Sequence, residues 1–541
     1  MVVKAYVAKS PNGPSTQVQV VWKRGRRVLG SRYVGTSGDP AGVALLEARA
    51  WEIAHEGMEP LWGSGQEVDA GGLGAGERGA ADGAAGARVV RSYSGLLWQA
   101  LVGVWEVLGF DEAVGDQAFR ALVLARVVEP TSKADSARVL ADLGAWGPSR
   151  RTVFRCLDRC QERGYRQSLA AACWRRAGTD AHLLLYDCTT LHFEIDEEDA
   201  LRRVGFSKER RIDPQIVVGL LVDQDGFPLM VDSFRGNIGE VETILPVLEA
   251  FKAAQQVERM TVVADAAMLS DDNLDKVEDA ELDFIVGARI DRTPFQVLKH
   301  RKEHPGQELE DGQVFVQPLD AGTKKKPRSR TVVYQWRKAR AARDLRTIDK
   351  QVSKAQQVVD GVRQPQKARF LDLKGAEPAL KQDLVDSARD RAGIKGYVTS
   401  LPLVGTPKGQ EEPERAIDPL LVISHYHQLW EVERSFRMSK HDLRARPIWH
   451  QDTQAIEAHL TIVFAALAVA RTIQKATGAT IRRFVKTLLP LRAADITIAG
   501  QAMTIPPLIS DDAQELLAAL AAGSRATSAA APQVATGPGV T

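Results

Sequence analysis

His182-Leu-Leu-Leu-Tyr-Asp-Cys-Thr-Thr-Leu-His-Phe-Glu194 sets one carboxylate, Asp187, inside a run that is otherwise apolar and β-prone. An ionised carboxylate beside Leu183, Leu184 and Leu185 is costly to desolvate, so such a group is paired, hydrogen-bonded or bound to a cation. Two readings follow. Asp187 caps a turn at a strand end with Thr189 and Thr190, or it belongs to a site completed by acids from elsewhere in the chain. His192 and Glu194 are the nearest alternative partners.

Downstream of this strand, residues 214–222 and 227–234 form a β pair joined by Asp223-Gln-Asp-Gly226, with Asp225-Gly226 at the turn. A helix over 240–257 follows, with Val241, Ile244, Leu245, Leu248 and Phe251 on one face. Then come a short strand ending at Asp265, another helix and a strand over 283–287. Three strands, a helix, a strand, a helix and a strand is the order of an α/β, ribonuclease H-like fold, with the first strand beside the fourth. Residues 289–395 do not continue that order. They read as an inserted β-rich, basic subdomain with strands over 313–318 and 331–336, a basic helix over 337–359, and the run Lys324-Lys-Lys-Pro-Arg-Ser-Arg330. That run is either a phosphate-facing stripe or a solvated charged loop. The core resumes at Gly396-Tyr-Val-Thr-Ser-Leu401 and is followed by long helices over 419–440 and 453–475.

Upstream, residues 1–60 read as a small basic β-rich module, with hairpin chemistry at Pro11-Asn12-Gly13. Residues 61–94 read as a linker, because 63–87 hold 9 Gly and 7 Ala in 25 positions without periodicity. Residues 95–178 are helical in pattern. Within them a helix over 133–143, a break at Gly144-Ala-Trp-Gly-Pro148, an N-capping Ser149 and an Arg-rich helix over 150–162 form a helix-turn-helix pattern. Arg150, Arg151 and Arg155 are then candidates for DNA contact, although any helical hairpin in a bundle has the same outline. The remaining divisions are core segments at 179–288 and 396–452, a C-terminal helical region at 453–522, and a disordered tail at 523–541 rich in Ala, Pro, Gly, Ser and Thr.

The 541 residues, 44% hydrophobic and 26% charged, are those of a multi-unit globular chain. Net charge is only +2, but the first 35 residues carry seven basic and no acidic side chains, and 324–350 carry eleven basic against two acidic. Local stripes of this kind suit a phosphate-bearing partner. Four cysteines without a Cys-x-x-Cys pair fit a reducing cytoplasm. The apolar run 460–470 is too short to span a bilayer and reads as a buried helix, so no membrane role is expected.

Asp187, Asp265 and Glu433 are carboxylates on two strands and a following helix, suited by their hard oxygens to two Mg²⁺ ions. Glu433 lies in Tyr426-His-Gln-Leu-Trp-Glu-Val-Glu-Arg-Ser-Phe-Arg-Met-Ser-Lys440, where Tyr426, Glu433 and Lys440 are spaced by seven and share a helix face. Standing alone, Glu433 also reads as an i,i+4 partner of Arg437. Glu431 is a rival ligand that projects elsewhere on the helix, and Asp196, Glu197, Glu198 and Asp199 read as a solvated loop. The set resembles the DDE transposases of the insertion-sequence-four superfamily, whose helix signature is Tyr-x2-Arg-x3-Glu-x6-Lys. Spacings of 78 residues between the aspartates and 168 from Asp265 to Glu433 are similar to that group. So are Gly205-Phe-Ser-Lys-Glu-Arg210, Asp213-Pro-Gln-Ile-Val-Val-Gly-Leu-Leu-Val222, and Gly226-Phe-Pro-Leu229 with Gly236-Asn237. Leu429 departs from the signature at its Arg position.

The resemblance implies a bacterial, nucleoid-associated transposase that cleaves and rejoins DNA at the inverted repeats of its own insertion sequence. It implies two Mg²⁺ (or Mn²⁺) ions, with Asp187 bridging and Asp265 and Glu433 completing one each, and a homodimer on double-stranded DNA ends and target. Tyr426, Lys440, Arg434 and Arg437 would grip DNA. Trp336 would hold a flipped base, or else it packs in a hairpin core. A catalytically inactive DNA-binding regulator and a ribonuclease H-like nuclease without strand transfer are the alternatives.

Overall fold

A computed structural model describes residues 4–12, 15–24, 27–38, 43, 46, 50, 88–178, 183–193, 197–206, 213–257, 259–265, 270–323, 326–364, 368–373, 378–404, 416–446, 448, 452–498 and 501–530. The chain divides into two compact units, Met1–Gly83 and Ala84–Thr541. In the first, β1 (Lys4–Asn12), β2 (Ser15–Arg24) and β3 (Arg27–Ser37) form an antiparallel sheet in sequence order. Val18, Val20 and Ala50 form a buried cluster in it.

The second unit opens with β4 (Arg88–Tyr93), a strand where composition suggests only linker. The rest of the expected linker, 61–87, lies outside the described residues. Six helices follow: α1 (Gly95–Val107), α2 (Phe110–Val114), α3 (Gln117–Val128), α4 (Ser136–Asp142), α5 (Arg150–Glu162) and α6 (Tyr165–Ala177). Ser149 Oγ accepts the Thr152 N–H at 3.2 Å, so a capped helix begins where the sequence break ends. Val153, Cys156, Leu157 and Cys160 bury one face of α5, leaving Arg150, Arg151 and Arg155 exposed on the other.

The main sheet is built from β5 (Leu183–His192), β6 (Gln215–Asp223), β7 (Pro228–Arg235), then α7 (Ile244–Gln255), β8 (Thr261–Ala264), α8 (Asp271–Asp279) and β9 (Asp283–Ala288). After α9 (Phe295–Glu303) come β10 (Val314–Thr323) and β11 (Lys326–Trp336), then α10 (Lys338–Val359). The short pair β12 (Leu371–Asp372) and β13 (Ala379–Leu380) precedes α11 (Gln382–Asp390) and β14 (Ile394–Thr399). The eight strands run β10-β11-β14-β9-β8-β5-β6-β7, with β5, β8 and β9 parallel and the other pairs antiparallel. The first core strand therefore does sit beside the fourth. The expectation of a separate β-rich insertion is corrected in one respect: β10 and β11 extend the core sheet, and only α10, α11 and β12-β13 gather around a small core of their own.

Every position of β6 is buried, consistent with an unbroken apolar run covered on both faces. Fully burying each Val, Leu or Ile there contributes about 1.5–3 kcal/mol. Glycine at 219 makes room for the neighbouring strand's Tyr186, whose hydroxyl a β-carbon at 219 would strike. On one face of the sheet lie α12 (Pro419–His427) and α13 (Leu429–Arg437), continued by a π-helical turn, Met438–Asp442. The expected single helix over 419–440 is thus broken at Gln428 and underwound, by a π-helical turn, after Arg437. Behind it runs α14 (Thr453–Thr477), long and apolar enough to cross a membrane, yet with 94% of its apolar window inside the protein. It is a core helix.

The unit ends with α15 (Ile481–Leu488), the hairpin β15 (Ala493–Ile498) and β16 (Gln501–Ile505), and α16 (Asp511–Ala530). Residues 523–530 belong to α16, although their composition predicts disorder; 531–541 lie outside the described residues. β15 pairs on its other side with β4, and Ser94 Oγ donates to Leu489 O at 2.5 Å.

Candidate active site

Asp187 is the fifth of ten residues in β5, and Thr189 and Thr190 continue the same strand, so the turn-cap reading falls. Its side chain is half-buried. β5 pairs in parallel with β8 through Leu183–Thr261, Leu184–Val262 and Leu185–Val263. Carrying that register forward two positions sets Asp187 opposite Asp265, the exposed residue immediately after β8. Strand side chains alternate faces, so both carboxylates project on the face that Leu185 and Val263 share. Tyr186 points the opposite way, its hydroxyl donating to Thr243 Oγ1 at 2.9 Å beside α7.

The helices over this face bring the signature residues to the same strands. Tyr426 Oη, at the end of α12, donates to Asp265 Oδ1 at 2.9 Å. Burial, and then the Asp265 charge and this hydrogen bond, raise the Tyr426 pKa well above that of an ordinary tyrosine, so the phenol stays a donor. Lys440, in the π-helical turn, donates from Nζ to Thr189 Oγ1, one same-face step from Asp187. Glu433 lies between them on α13, which packs across β5. It is exposed and, among the described residues, makes no hydrogen bond or ion pair, so the alternative pairing with Arg437 is absent. Asp187 and Asp265 are brought to adjacent strands, but among the described residues no three His, Cys, Asp or Glu side chains close into a metal-sized group.

Glu431 takes a structural part. Its Oε2 accepts from Arg471 Nη2 of α14 at 2.6 Å, and the same guanidinium donates to Asp225 O. Gly226, at φ +78°, completes that turn: a β-carbon there would collide with Arg471 and come within 3.0 Å of Glu431. Its carbonyl accepts from Ser435 Oγ of α13 at 2.7 Å. The β6–β7 turn therefore locks α13 in place over the sheet. Arg434 stacks over Trp430 at 5.5 Å and lies 3.8 Å from Glu431, while Arg437 is exposed.

Trp336, at the end of β11, donates from Nε1 to Ala392 O at 3.1 Å and packs against Gly393, as a tryptophan anchoring a strand end does. Of the acidic loop, Glu198 pairs with Arg203 at 3.3 Å and Asp199 with Arg202 at 2.8 Å. Glu194, Asp196 and the 207–212 part of the resemblance lie outside the described residues. All four cysteines are buried.

Sequence reading misses three groups at this edge. The Tyr397 ring lies 4.9 Å from that of Tyr426, His427 Nε2 is 3.2 Å from the Tyr397 hydroxyl, and the Lys395 ammonium sits 4.5 Å above the Tyr426 ring. Lys395 and Tyr397 come here through the strand order, with β14 next to β9, which no local motif marks, and His427 follows Tyr426 at the end of α12.

A family model described as "Transposase DDE domain" matches residues 184–469. No curated protein matches the chain. Among solved structures the chain is similar to the cryo-EM structure of a piggyBac transposase synaptic complex with hairpin DNA, at 9% identity and a TM-score of 0.34, over 73% of this chain and 70% of that one. A likeness that distant fixes nothing about this fold. The family match is of another order, since it takes in more than half of the chain, from the strand of Asp187 through α13 to the core helix α14, and by it the chain belongs to the DDE transposase family.

Proposed function

We propose that the chain is an insertion-sequence transposase of the insertion-sequence-four superfamily, in its Y-R-E-K group, with a ribonuclease H-like core formed by 179–288 and 396–452. It cleaves and joins DNA at the element's terminal inverted repeats, working as a homodimer. The observation that carries the reading is the register pairing Asp187 with Asp265 while Tyr426 and Lys440 anchor on the same two strands.

The donor set suits hard divalent cations: three carboxylates, two on neighbouring strands and the third, Glu433, exposed and without a competing partner among the described residues. Asp187, Asp265 and Glu433 would hold two Mg²⁺ or Mn²⁺ ions, which when bound supply Lewis-acid activation of the attacking and leaving oxygens. The chain's own residues do the rest. Tyr426 fixes the orientation of the Asp265 carboxylate. Lys440 holds a cation beside the strand of Asp187, where a scissile phosphate would pass. Arg434 and Arg437 would take flanking phosphates from α13; Trp336, whose Nε1 is bonded to Ala392 O, would have to leave that packing to hold a flipped base. Arg150, Arg151 and Arg155 present a basic helix face to duplex DNA.

The test is strand cleavage on a duplex carrying the repeats that flank the gene. Asp187→Asn, Asp265→Asn and Glu433→Gln should each lower Mg²⁺-dependent cleavage by about 10³-fold, equivalent to about 4 kcal/mol, while leaving duplex binding within about threefold. A Glu433→Gln enzyme that cleaves at the parent rate removes Glu433 from the site. Leu429 at the signature Arg position favours a second reading, a DNA-binding regulator that no longer cleaves; parent protein that binds the repeats but gives no cleavage or joined product would establish it.

A further inference from the structure

Beyond Asp265, the same sheet edge continues into cations. β9 runs parallel to β8, β14 antiparallel to β9 with Gly396 opposite Ala288, and β11 antiparallel to β14 with Trp336 opposite Ile394. The end of β8, the start of β14, and the end of β11 with the start of α10 therefore share one edge. Asp265, Lys395, and then Arg337 and Arg340 follow one another along it.

These cations are held differently. Arg337 is 3.4 Å from Asp311, and Arg340 is 3.5 Å from Asp344. Half-buried Lys395 makes no ion pair or hydrogen bond among the described residues. Its ammonium rests on two aromatic faces, 4.5 Å from the Tyr426 ring centre and 5.8 Å from that of Tyr397. Burial first, then the Arg340 charge, lower the Lys395 pKa, with Asp265 opposing, and burial, Lys395 and Arg337 lower that of the neighbouring His427. A partly desolvated ammonium set among like charges is an arrangement that an incoming anion relieves. The basic stretch 324–350 divides accordingly. Arg328 and Arg330 are taken up by acids of α8, whereas Arg337 and Arg340 face this edge.

We propose that Lys395, flanked by Arg337 and Arg340, is a backbone-phosphate site for the DNA strand leaving the candidate carboxylates toward α10. It rests on the reading that DNA reacts at Asp187 and Asp265. Lys395 is a positioning residue there, taking a non-bridging phosphate oxygen while Tyr426 keeps its bond to Asp265.

The full-length chain is titrated against a fluorescein-labelled, mixed-sequence DNA duplex in EDTA over a KCl series. Lys395→Gln should weaken binding about 3- to 10-fold near 0.1 M salt and reduce the log–log salt slope by about 0.9, one phosphate contact. Lys395→Arg should restore the slope, and Lys395→Met, which keeps the stem over Tyr426, should behave as Lys395→Gln. Thermal unfolding is followed in parallel. An unchanged slope in both neutral variants, whether or not the melting temperature moves, overturns the proposal, as does a Lys395→Arg chain as weak as Lys395→Gln. With divalent metal chelated, the slope does not depend on catalysis by the carboxylates; an Asp265→Asn chain that still cleaves sinks the active-site reading while the salt slope still decides for Lys395.

Discussion

On α8, Asp275, Glu278 and Asp279 face Arg328 and Arg330 of β11, whereas at the end of β8 Asp265 faces the hydroxyl of Tyr426 and, beyond it, Lys395. Both groups of acids lie against the same sheet, at separate places. In the first, the Arg330 side chain is 1% exposed, donates to Asp275, reaches Glu278 at 2.8 Å and stacks on Phe284. Each charge is answered, and the result is a clamp joining β10-β11 to the core. In the second, Glu433 is exposed and makes no hydrogen bond or ion pair among the described residues, and Asp265 is met by a neutral hydroxyl, that of Tyr426, at 2.9 Å. At the first place acids answered by guanidinium groups hold structure; at the second, under the proposed function, the acids hold a ligand.

The contrast predicts opposite outcomes when charge is removed. The largest effect belongs to the sheet edge: Asp187→Asn should abolish cleavage while shifting the urea midpoint by no more than about 1 kcal/mol equivalent, because the amide keeps the shape of the side chain and one of its acceptor oxygens. A midpoint lower by more than about 1 kcal/mol equivalent would place Asp187 in the structural class. Arg330→Ala should do the reverse, costing about 3–5 kcal/mol by stranding Asp275 and Glu278, with Arg330→Met costing less; urea denaturation measures both. Asp116 belongs with the clamp, since it caps α3, holds Arg159 at 2.6 Å and accepts from Tyr165 at 2.9 Å. Asp116→Ala should cost about 2–4 kcal/mol. Burial opposes ionisation of Asp116, but Arg159, Tyr165 and the Phe119 amide outweigh it and lower its pKa. Its contribution is therefore present above about pH 3.9 and lost as pH falls through the lowered value, so Asp116→Ala should flatten the acid limb of stability against pH. The smallest effect is Tyr426→Phe, which removes one hydrogen bond to Asp265 and should cost no more than about 1 kcal/mol of stability while slowing cleavage.

Much of this is legible where periodicity or turn chemistry is strong. The apolar run of β6, the Asp225-Gly226 turn, the one-sided face of α7 and the Ser149 cap are local features, and local features survive folding. Asp187 and Asp265 can be matched because one sits on, and the other directly after, a core strand whose place follows from connectivity. Other features depend on partners distant in sequence. Nothing in Lys326–Trp336 says that it pairs with Ile394–Thr399, so the basic run reads as surface and Lys395 carries no mark. The break at Gln428 has no Gly or Pro to announce it, and the π-helical turn that aims Lys440 at Thr189 has no signature either. Composition misleads at both ends of the second unit, where β4 and α16 are ordered by partners rather than by their own residues.

The pairing of β4 with β15 has a temporal meaning. Strands 88–93 and 493–498 close a loop of about four hundred residues, and Arg91 meets Asp495 at 2.5 Å across it. A chain emerging from the ribosome at about 5–20 residues per second leaves β4 waiting some 20–80 seconds for its neighbour. The seam that joins the two ends of the unit therefore cannot close until the whole DDE segment has been made, which sets a lower limit on the time the unit takes to complete its fold.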